Sequence, residues 1–427
     1  MSSKRRPRGC RDFGPEEMAV RREIEKRMRD TIEGFGYREI STPTFEHAEL
    51  FVARSGPQVL EQMYTFKDKG GRELALRPEL TAPVMRFFAS DLKNESKPLR
   101  IYYFGNCFRY ERPQKGRFRE FWQIGLEYIG NKTPLANAEV ITAAVDTLKS
   151  IGLLDFQLRI GNVSILKSLI SDYGIDPDKD RELMTSLDKK DVEAVSRYLR
   201  EKGKKETGDL VDMLTTTLEI EEAKPFLDRI STESEKDISG EIEELKEIIE
   251  TVEGICPEIY LDPSISRGLD YYDGPVFEID ASSLGAEKQI CGGGAYSLSS
   301  SIGSGVEGIG FGLGFDRVIM ALNKEVEIGD GSEKTTFYLI PMGDLARRSA
   351  IRISSLIRGA GFTCILGTSD RGFKKAIKYA LSKGCTHLAI LGDREIENET
   401  ISIKDLATES QKEISLEELG NYLRGLR

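Results

Sequence analysis

With 427 residues, 61 Lys or Arg against 71 Asp or Glu and a formal net charge of −10, the chain is too long for one typical core and too acidic to hold nucleic acid through its overall field. Its two histidines, His47 and His387, and six cysteines without a Cys-x-x-Cys spacing argue against a histidine-based triad, a His-rich or structural metal site and a disulfide framework. Scattered, mostly apolar-flanked cysteines, no signal peptide and no long uncharged apolar run point to the cytoplasm and away from a membrane.

In chain order, the basic start Lys4-Arg5-Arg6-Pro7-Arg8 has no apolar run behind it and reads as a surface arm. After Pro15-Glu16-Glu17 the stripe Val20, Ile24, Met28, Ile32 recurs every four residues up to Gly34 and Gly36, which predicts a first helix. Leu76-Arg77-Pro78-Glu79-Leu80-Thr81 reads as a strand-to-helix turn, where Glu79 is either a binding group or a carboxylate at a helix N-terminus.

The stretch from Tyr103 to Tyr128 predicts a hairpin with a working face. Arg119, Phe121, Gln123, Gly125 and Glu127 alternate with Trp122, Ile124, Leu126 and Tyr128, so one face is core and the other carries an aromatic, an amide, a glycine and a carboxylate. That mixture suits a pocket floor, although an ordinary charged hairpin has the same pattern. The connecting loop Arg112-Pro113-Gln114-Lys115-Gly116-Arg117 concentrates donors for phosphate or a nucleic-acid backbone.

From about Asp172 to Val252 the composition turns to dense Lys, Asp and Glu, with Ile242, Leu245, Ile249 and Val252 at helical spacing, which predicts a helical insertion. Ser266-Arg267-Gly268-Leu269-Asp270-Tyr271-Tyr272 and Gly292-Gly293-Gly294 follow. Gly308, Gly310, Gly312 and Gly314 then alternate with Ile309, Phe311, Leu313 and Phe315, a strand with one bare face. Such a face admits a flat ligand against the backbone or a tight strand contact. Asp316-Arg317 opens an apolar helix, with Arg317 at the end of the glycine strand. A polar linker is read around Asn323 to Lys334.

Beyond it, strands at Phe337–Pro341, Phe362–Leu366, His387–Leu391 and Ile401–Ile403 alternate with the stripe Ala346, Ala350, Ile353, Ile357 and a basic helix from Gly372 to Lys383, predicting a three-layer α/β domain. From Thr335 onward, 14 Lys or Arg stand against 11 Asp or Glu, a net of +3 in an acidic chain. Any polyanion held by this region would therefore be met by local basic patches and shape.

These segments together resemble the histidyl-tRNA synthetase family of class II aminoacyl-tRNA synthetases, almost end to end from Arg8-Gly9-Cys10-Arg11-Asp12-Phe13. Ile40-Ser41-Thr42-Pro43 is similar to class II motif one, Phe108-Arg109-Tyr110-Glu111 through Glu127 to motif two, and Gly310 through Arg317 to motif three. Arg267 through Tyr272 and the Gly292 triplet resemble the segments peculiar to the histidine enzyme. The resemblance implies an α+β fold: a class II antiparallel-sheet catalytic core over residues 1–325, a helical insertion at 172–252, and a C-terminal α/β anticodon-binding domain at 335–427.

It also implies residue roles. Arg109, Arg267 and Arg317 would neutralise the phosphates of ATP, with Glu111 near the adenine amino group and Phe121 stacked under the base. Glu79, Thr81 and Gln123 would hold the α-ammonium of histidine, and Glu127 and Tyr272, with Tyr271 nearby, would test the two imidazole nitrogens. Arg267 would also touch the histidine carboxylate. Arg112, Gln114, Lys115 and Arg117 would enter the tRNA acceptor stem. ATP as substrate, Mg2+, L-histidine, tRNA(His) and a homodimer complete the expectation.

The sequence departs from the family where Arg-Tyr-Asp usually follows the glycine triplet and Ala295-Tyr296-Ser297 stands here, and where Asp273 and Pro275 replace threonines. The loss of both charges together reads as a supporting salt bridge removed. The main alternative is a synthetase-like regulatory subunit of ATP phosphoribosyltransferase, which typically lacks the C-terminal domain and the Arg267 segment. A prolyl, threonyl or glycyl enzyme would share the motifs without Arg267-Gly268-Leu269-Asp270-Tyr271-Tyr272.

Overall fold

The computed structural model of the chain describes residues 5–55, 57–112, 116–177, 179–188, 190–203, 208–256, 258–265, 272–298, 306–325, 335–368 and 372–426. Residues 1–329 and 330–427 form two compact units.

The strands of the first unit are Arg38–Glu39 (β1), Phe45–His47 (β2), Tyr64–Lys67 (β3), Glu73–Leu76 (β4), Leu99–Phe108 (β5), Glu120–Ile129 (β6), Gln157–Asn162 (β7), Leu218–Glu219 (β8), Ile259–Leu261 (β9), Tyr272–Asp280 (β10), Gln289–Leu298 (β11) and Val306–Gly314 (β12). Among the described residues nine of them form one sheet in the order β1-β5-β6-β12-β11-β10-β7-β9-β8. Every pair from β5 across to β7 is antiparallel, while the short pairs β1/β5 and β7/β9 are parallel. β2, β4 and β3 make a separate three-stranded sheet. The antiparallel core implied by the resemblance is present.

The hairpin β5/β6 shows why its sequence alternates. Ile124, Leu126 and Tyr128 are buried in one apolar cluster with Ile24, Met28 and Ile32 of the first helix, Pro15–Gly34, and with Val140, Ile141 and Ala144 of the helix Pro134–Ser150. Helices therefore cover one face of the sheet, and the side chains between the apolar ones point to the other face. Arg77 ties the motif-one segment to this hairpin: its guanidinium donates to the Thr42 carbonyl at 2.8 Å and to the Asn106 carbonyl at 2.8 Å.

The charge-rich stretch 172–252 folds into the helices Arg181–Asp188, Val192–Lys202, Gly208–Thr215, Ile220–Glu233 and Ser239–Val252, and contributes β8 to the sheet edge. Ile242, Leu245, Ile249 and Val252 are buried in the same cluster as the helix Pro134–Ser150. Its acidic residues line the outward faces, and its apolar stripe joins the core beneath the main sheet.

In the second unit the strands Thr336–Met342 (β13), Thr363–Leu366 (β14), His387–Gly392 (β15), Thr400–Asp405 (β16) and Gln411–Ser415 (β17) order as β14-β13-β15-β16-β17. Phe337 and Leu339 face the buried Ala346, Ala350, Ile353 and Ile357, while Tyr338 and Ile340 face Ala376 and Ala380 on the opposite side. Period two along one strand thus serves two apolar layers. β17 was not anticipated because it is a mostly exposed edge strand of polar residues with only Ile414 buried. Of the predicted linker, residues 326–334 lie outside the described residues, and the helix Phe315–Glu325 takes up its beginning.

Candidate active site

The face of the sheet away from the helices floors a cavity of about 850 Å³. Glu79, Thr81, Arg109, Glu111, Arg117, Phe121, Gln123, Glu127, Tyr272 and Arg317 all line it, so the residues singled out from six separate segments converge. Arg112 is exposed and does not line it. Arg267, Tyr271, Gln114 and Lys115 lie outside the described residues.

One end of the cavity is organised around a carboxylate. Glu127 on β6 is 1 % exposed. It accepts a hydrogen bond from the Tyr296 hydroxyl at 2.7 Å and from the Tyr103 hydroxyl at 3.1 Å. Burial, and after it the Glu127 charge, pushes the Tyr103 phenol well above its ordinary range, so it stays a donor. Neither tyrosine was singled out as a site residue from the sequence, because the pairing that sets each against a glycine is a matter of strand register. Tyr103 stands opposite Gly125 and Tyr296 opposite Gly308 in the register, as Glu127 stands opposite Gly310. A Cβ on Gly310 would lie 1.9 Å from Glu127 Oε2, and one on Gly125 would lie 2.6 Å from the Tyr103 hydroxyl. Here the bare positions make room for the protein's own side chains. Of the glycine strand, Gly312 and Gly314 keep an open face toward the cavity, where a Cβ would meet nothing closer than 3.7 Å.

Glu79 serves the N-terminus of the helix Thr81–Phe87, accepting from the Thr81 amide at 2.6 Å and the Ala82 amide at 3.0 Å. Thr81 lies inside that helix and its hydroxyl meets the Tyr103 hydroxyl at 3.3 Å instead of capping. Gln123 Oε1 accepts from the buried Cys107 thiol at 3.3 Å, whose pKa burial pushes up to about 12.

The other end is cationic. Arg109 donates to the Pro78 carbonyl at 3.0 Å and lies over the Phe121 ring at 5.1 Å. Arg317 donates to the Gly116 carbonyl at 3.1 Å and to the Gln289 carbonyl at 2.7 Å. Carbonyl oxygens fix the direction of these guanidiniums. Asp316, next to Arg317 and expected near a helix N-terminus, is 2 % exposed and accepts from Arg21 at 2.9 Å and from the Trp122 amide at 2.7 Å. Arg11 pairs with the same carboxylate at 2.5 Å. It thereby locks the start of that helix to β6 and to the N-terminal segment.

Arg159, also on the cavity wall, is of another kind. Arg159 on β7 is 7 % exposed and bonded to Asp262, Glu278 and Asp280, with Lys190 on Asp262 at 2.5 Å and Lys288 on Asp280 at 3.2 Å. Burial acts to raise the Asp262 pKa, but Lys190 and Arg159 outweigh it and hold the carboxyl below its ordinary range. The salt bridge that Ala295 and Ser297 seemed to remove has a counterpart here: Lys132 donates to Asp273 and to Ser297, each at 2.9 Å.

The chain as a whole is similar to proteins of known family. A family model described as histidyl-tRNA synthetase matches residues 9–318, and one described as anticodon binding domain matches residues 336–426. The chain is 46 % identical over 420 residues to a histidine–tRNA ligase of Archaeoglobus fulgidus, covering 98 % of this chain and 99 % of that one. It resembles the crystal structure of apo histidyl-tRNA synthetase from S. aureus at 29 % identity and a TM-score of 0.68, over 98 % of this chain and 99 % of the other. A structure from Bacillus halodurans titled as an ATP phosphoribosyltransferase regulatory subunit/histidyl-tRNA synthetase is 27 % identical with a TM-score of 0.75, over 91 % and 98 % of the two chains.

Proposed function

Since the chain belongs to the histidyl-tRNA synthetase family and is a histidine–tRNA ligase, we propose that the described cavity is where histidine is activated, with Glu127 reading the imidazole and Arg109 and Arg317 holding the phosphates. The observation that carries this reading is the opposite character of the cavity's two ends: a buried carboxylate oriented by two phenols at one, and two arginines anchored on carbonyls at the other.

The histidine carboxylate oxygen attacks the α-phosphorus of ATP, the bond to the β-phosphate oxygen breaks, and pyrophosphate leaves. The substrate supplies the nucleophile, so the protein's contribution is alignment and charge neutralisation. Glu79, Thr81 and Gln123 face the α-ammonium, Glu127 and Tyr272 the imidazole nitrogens, and Phe121 with Glu111 the adenine. Arg267 and Tyr271 retain the roles that the resemblance implies, the former at the α-phosphate. In the second step a hydroxyl of the tRNA 3′ end attacks the histidyl carbonyl and AMP leaves, with Arg112, Gln114, Lys115 and Arg117 on the acceptor stem.

Among the described residues no group of three or more His, Cys, Asp or Glu is placed to hold a metal ion. Mg2+, which we expect to arrive with ATP, would supply charge neutralisation at the phosphates beside Arg109 and Arg317. A homodimer agrees with the exposed pair Phe45 and Phe66 on the three-stranded sheet, 52 % and 43 % exposed with ring centroids 6.1 Å apart. No helix among the described residues is long and apolar enough to cross a membrane.

The test is ATP–pyrophosphate exchange on the full chain with each amino acid in turn. Exchange with histidine and none with glutamine, which lacks the second ring nitrogen, is the expected result; equal exchange with both would overturn the assignment of Glu127 and Tyr272.

A further inference from the structure

We propose that Lys132 is a positioning residue for histidine recognition, a single ammonium that holds Tyr272 and Tyr296 in the register that faces Glu127. The inference rests on the reading of Glu127, Tyr272 and Tyr296 as the end that binds the imidazole.

Tyr272 on β10 and Tyr296 on β11 are directly paired across the two strands. Side chains alternate along a strand, so the residues that follow them, Asp273 and Ser297, point to the opposite side of the sheet from the cavity. There Lys132 Nζ donates to Asp273 Oδ1 at 2.9 Å and to Ser297 Oγ at 2.9 Å, with Glu307 Oε1 on the next strand, β12, at 3.8 Å. Ser297 and Glu307 are themselves paired across β11 and β12. One ammonium with three donors thus spans three adjacent strands one residue beyond the tyrosine pair.

Two further facts give this clamp a purpose. The β10/β11 register is irregular between Tyr272 and Val276, so the Tyr272/Tyr296 pair is set off from the regular ladder that runs on from Val276. The clamp's base is firm: the Lys132 carbonyl accepts from Asn137, which is 2 % exposed, and the next residue, Thr133, caps the helix Pro134–Ser150. That helix packs in the main core. The carboxylates of Asp273 and Glu307 are 41 % and 50 % exposed, where an ion pair adds little to global stability. What Lys132 contributes is placement. It lies behind the sheet, so its effect on the substrate passes through the two tyrosines.

The experiment compares Lys132→Met, Lys132→Arg and Glu127→Gln in ATP–pyrophosphate exchange on the full chain. For Lys132→Met the histidine KM should rise about tenfold, equivalent to roughly 1.4 kcal/mol, with kcat and ATP KM within about twofold, and Lys132→Arg should recover most of the loss. Asp273→Ala should raise the histidine KM similarly and add little when combined with Lys132→Met, as members of one contact do. An unchanged histidine KM in Lys132→Met, or an equal rise in both KM values together with a lowered Tm, overturns the proposal. If Glu127→Gln raises the histidine KM while Lys132→Met does not, only the clamp fails. If Glu127→Gln also leaves it unchanged, the reading of the pocket fails and the clamp with it.

Discussion

The two ends of the cavity treat charge in opposite ways. At the closed end the protein has already supplied hydrogen bonds to Glu127, through Tyr103 and Tyr296, before any substrate arrives. At the open end Arg109 and Arg317 are oriented by the carbonyls of Pro78, Gly116 and Gln289. A carbonyl fixes a guanidinium's direction without bringing a formal charge of its own. Arg159, on the same wall, shows the contrast: three carboxylates surround it, and it has the character of a structural ion cluster. The carbonyl partners seen at the two arginines of the proposed phosphate end thus contrast with the carboxylate partners of Arg159.

The sharpest way to break this distinction is a pair of substitutions. Arg109→Ala should lower kcat for exchange by about 10²–10³-fold with Tm nearly unchanged, since it removes a donor to developing charge. Arg159→Met should instead cost about 3–5 kcal/mol of stability, because it leaves buried carboxylates without their cation. Similar losses of Tm in both variants would collapse the contrast. At the closed end, Tyr296→Phe removes a hydrogen bond to a buried charge worth about 1.5–3 kcal/mol, so the histidine KM should rise roughly ten- to hundredfold while ATP KM holds. An ATP KM that rises in parallel would show that the two ends are not separable.

The smallest expected effect lies in the second unit. Burial, opposed by the nearby Asp405 charge, depresses the pKa of His387 below its ordinary 6.5. The unfolded chain then takes up the proton first. The stabilisation is fully present above pH 6.5 and is lost as pH falls below that value through the lower folded pKa. His387→Gln should flatten the acid limb of this unit's Tm below about pH 6.5; an acid limb of unchanged slope would remove His387 as its cause.

Much of the site was legible because periodicity alone assigns faces. Phe121, Gln123 and Glu127 were placed on one side of a strand by period two, and the cavity is on that side. The glycine strand was legible as a bare face, but its use was not. Whether a gap is filled by a ligand or by a tyrosine from the neighbouring strand depends on register, which joins Gly308 to Tyr296 and Gly125 to Tyr103 across long separations. The acidic insertion was legible as helices, whereas its burial into the main core was not, because the stripe Ile242 to Val252 does not name the surface that covers it.

By itself the sequence determined the local alternation of strand and helix, the convergence of motifs that marks the family, and the chemical types at the site. Those are set by neighbours within a few positions, where side-chain direction follows from backbone period. Only the tertiary structure decided who satisfies whom. Asp393 accepts from the amides of Leu345 and Ala346, serving the start of a helix whose preceding Gly343 has no side chain to do so. Asp316 joins Arg21 from the first helix to the Trp122 amide on β6, and Lys132 joins Asp273 to Ser297. Polar groups that leave water must find partners, and the partner can be any group that the fold brings within about 3 Å, whatever its distance along the chain.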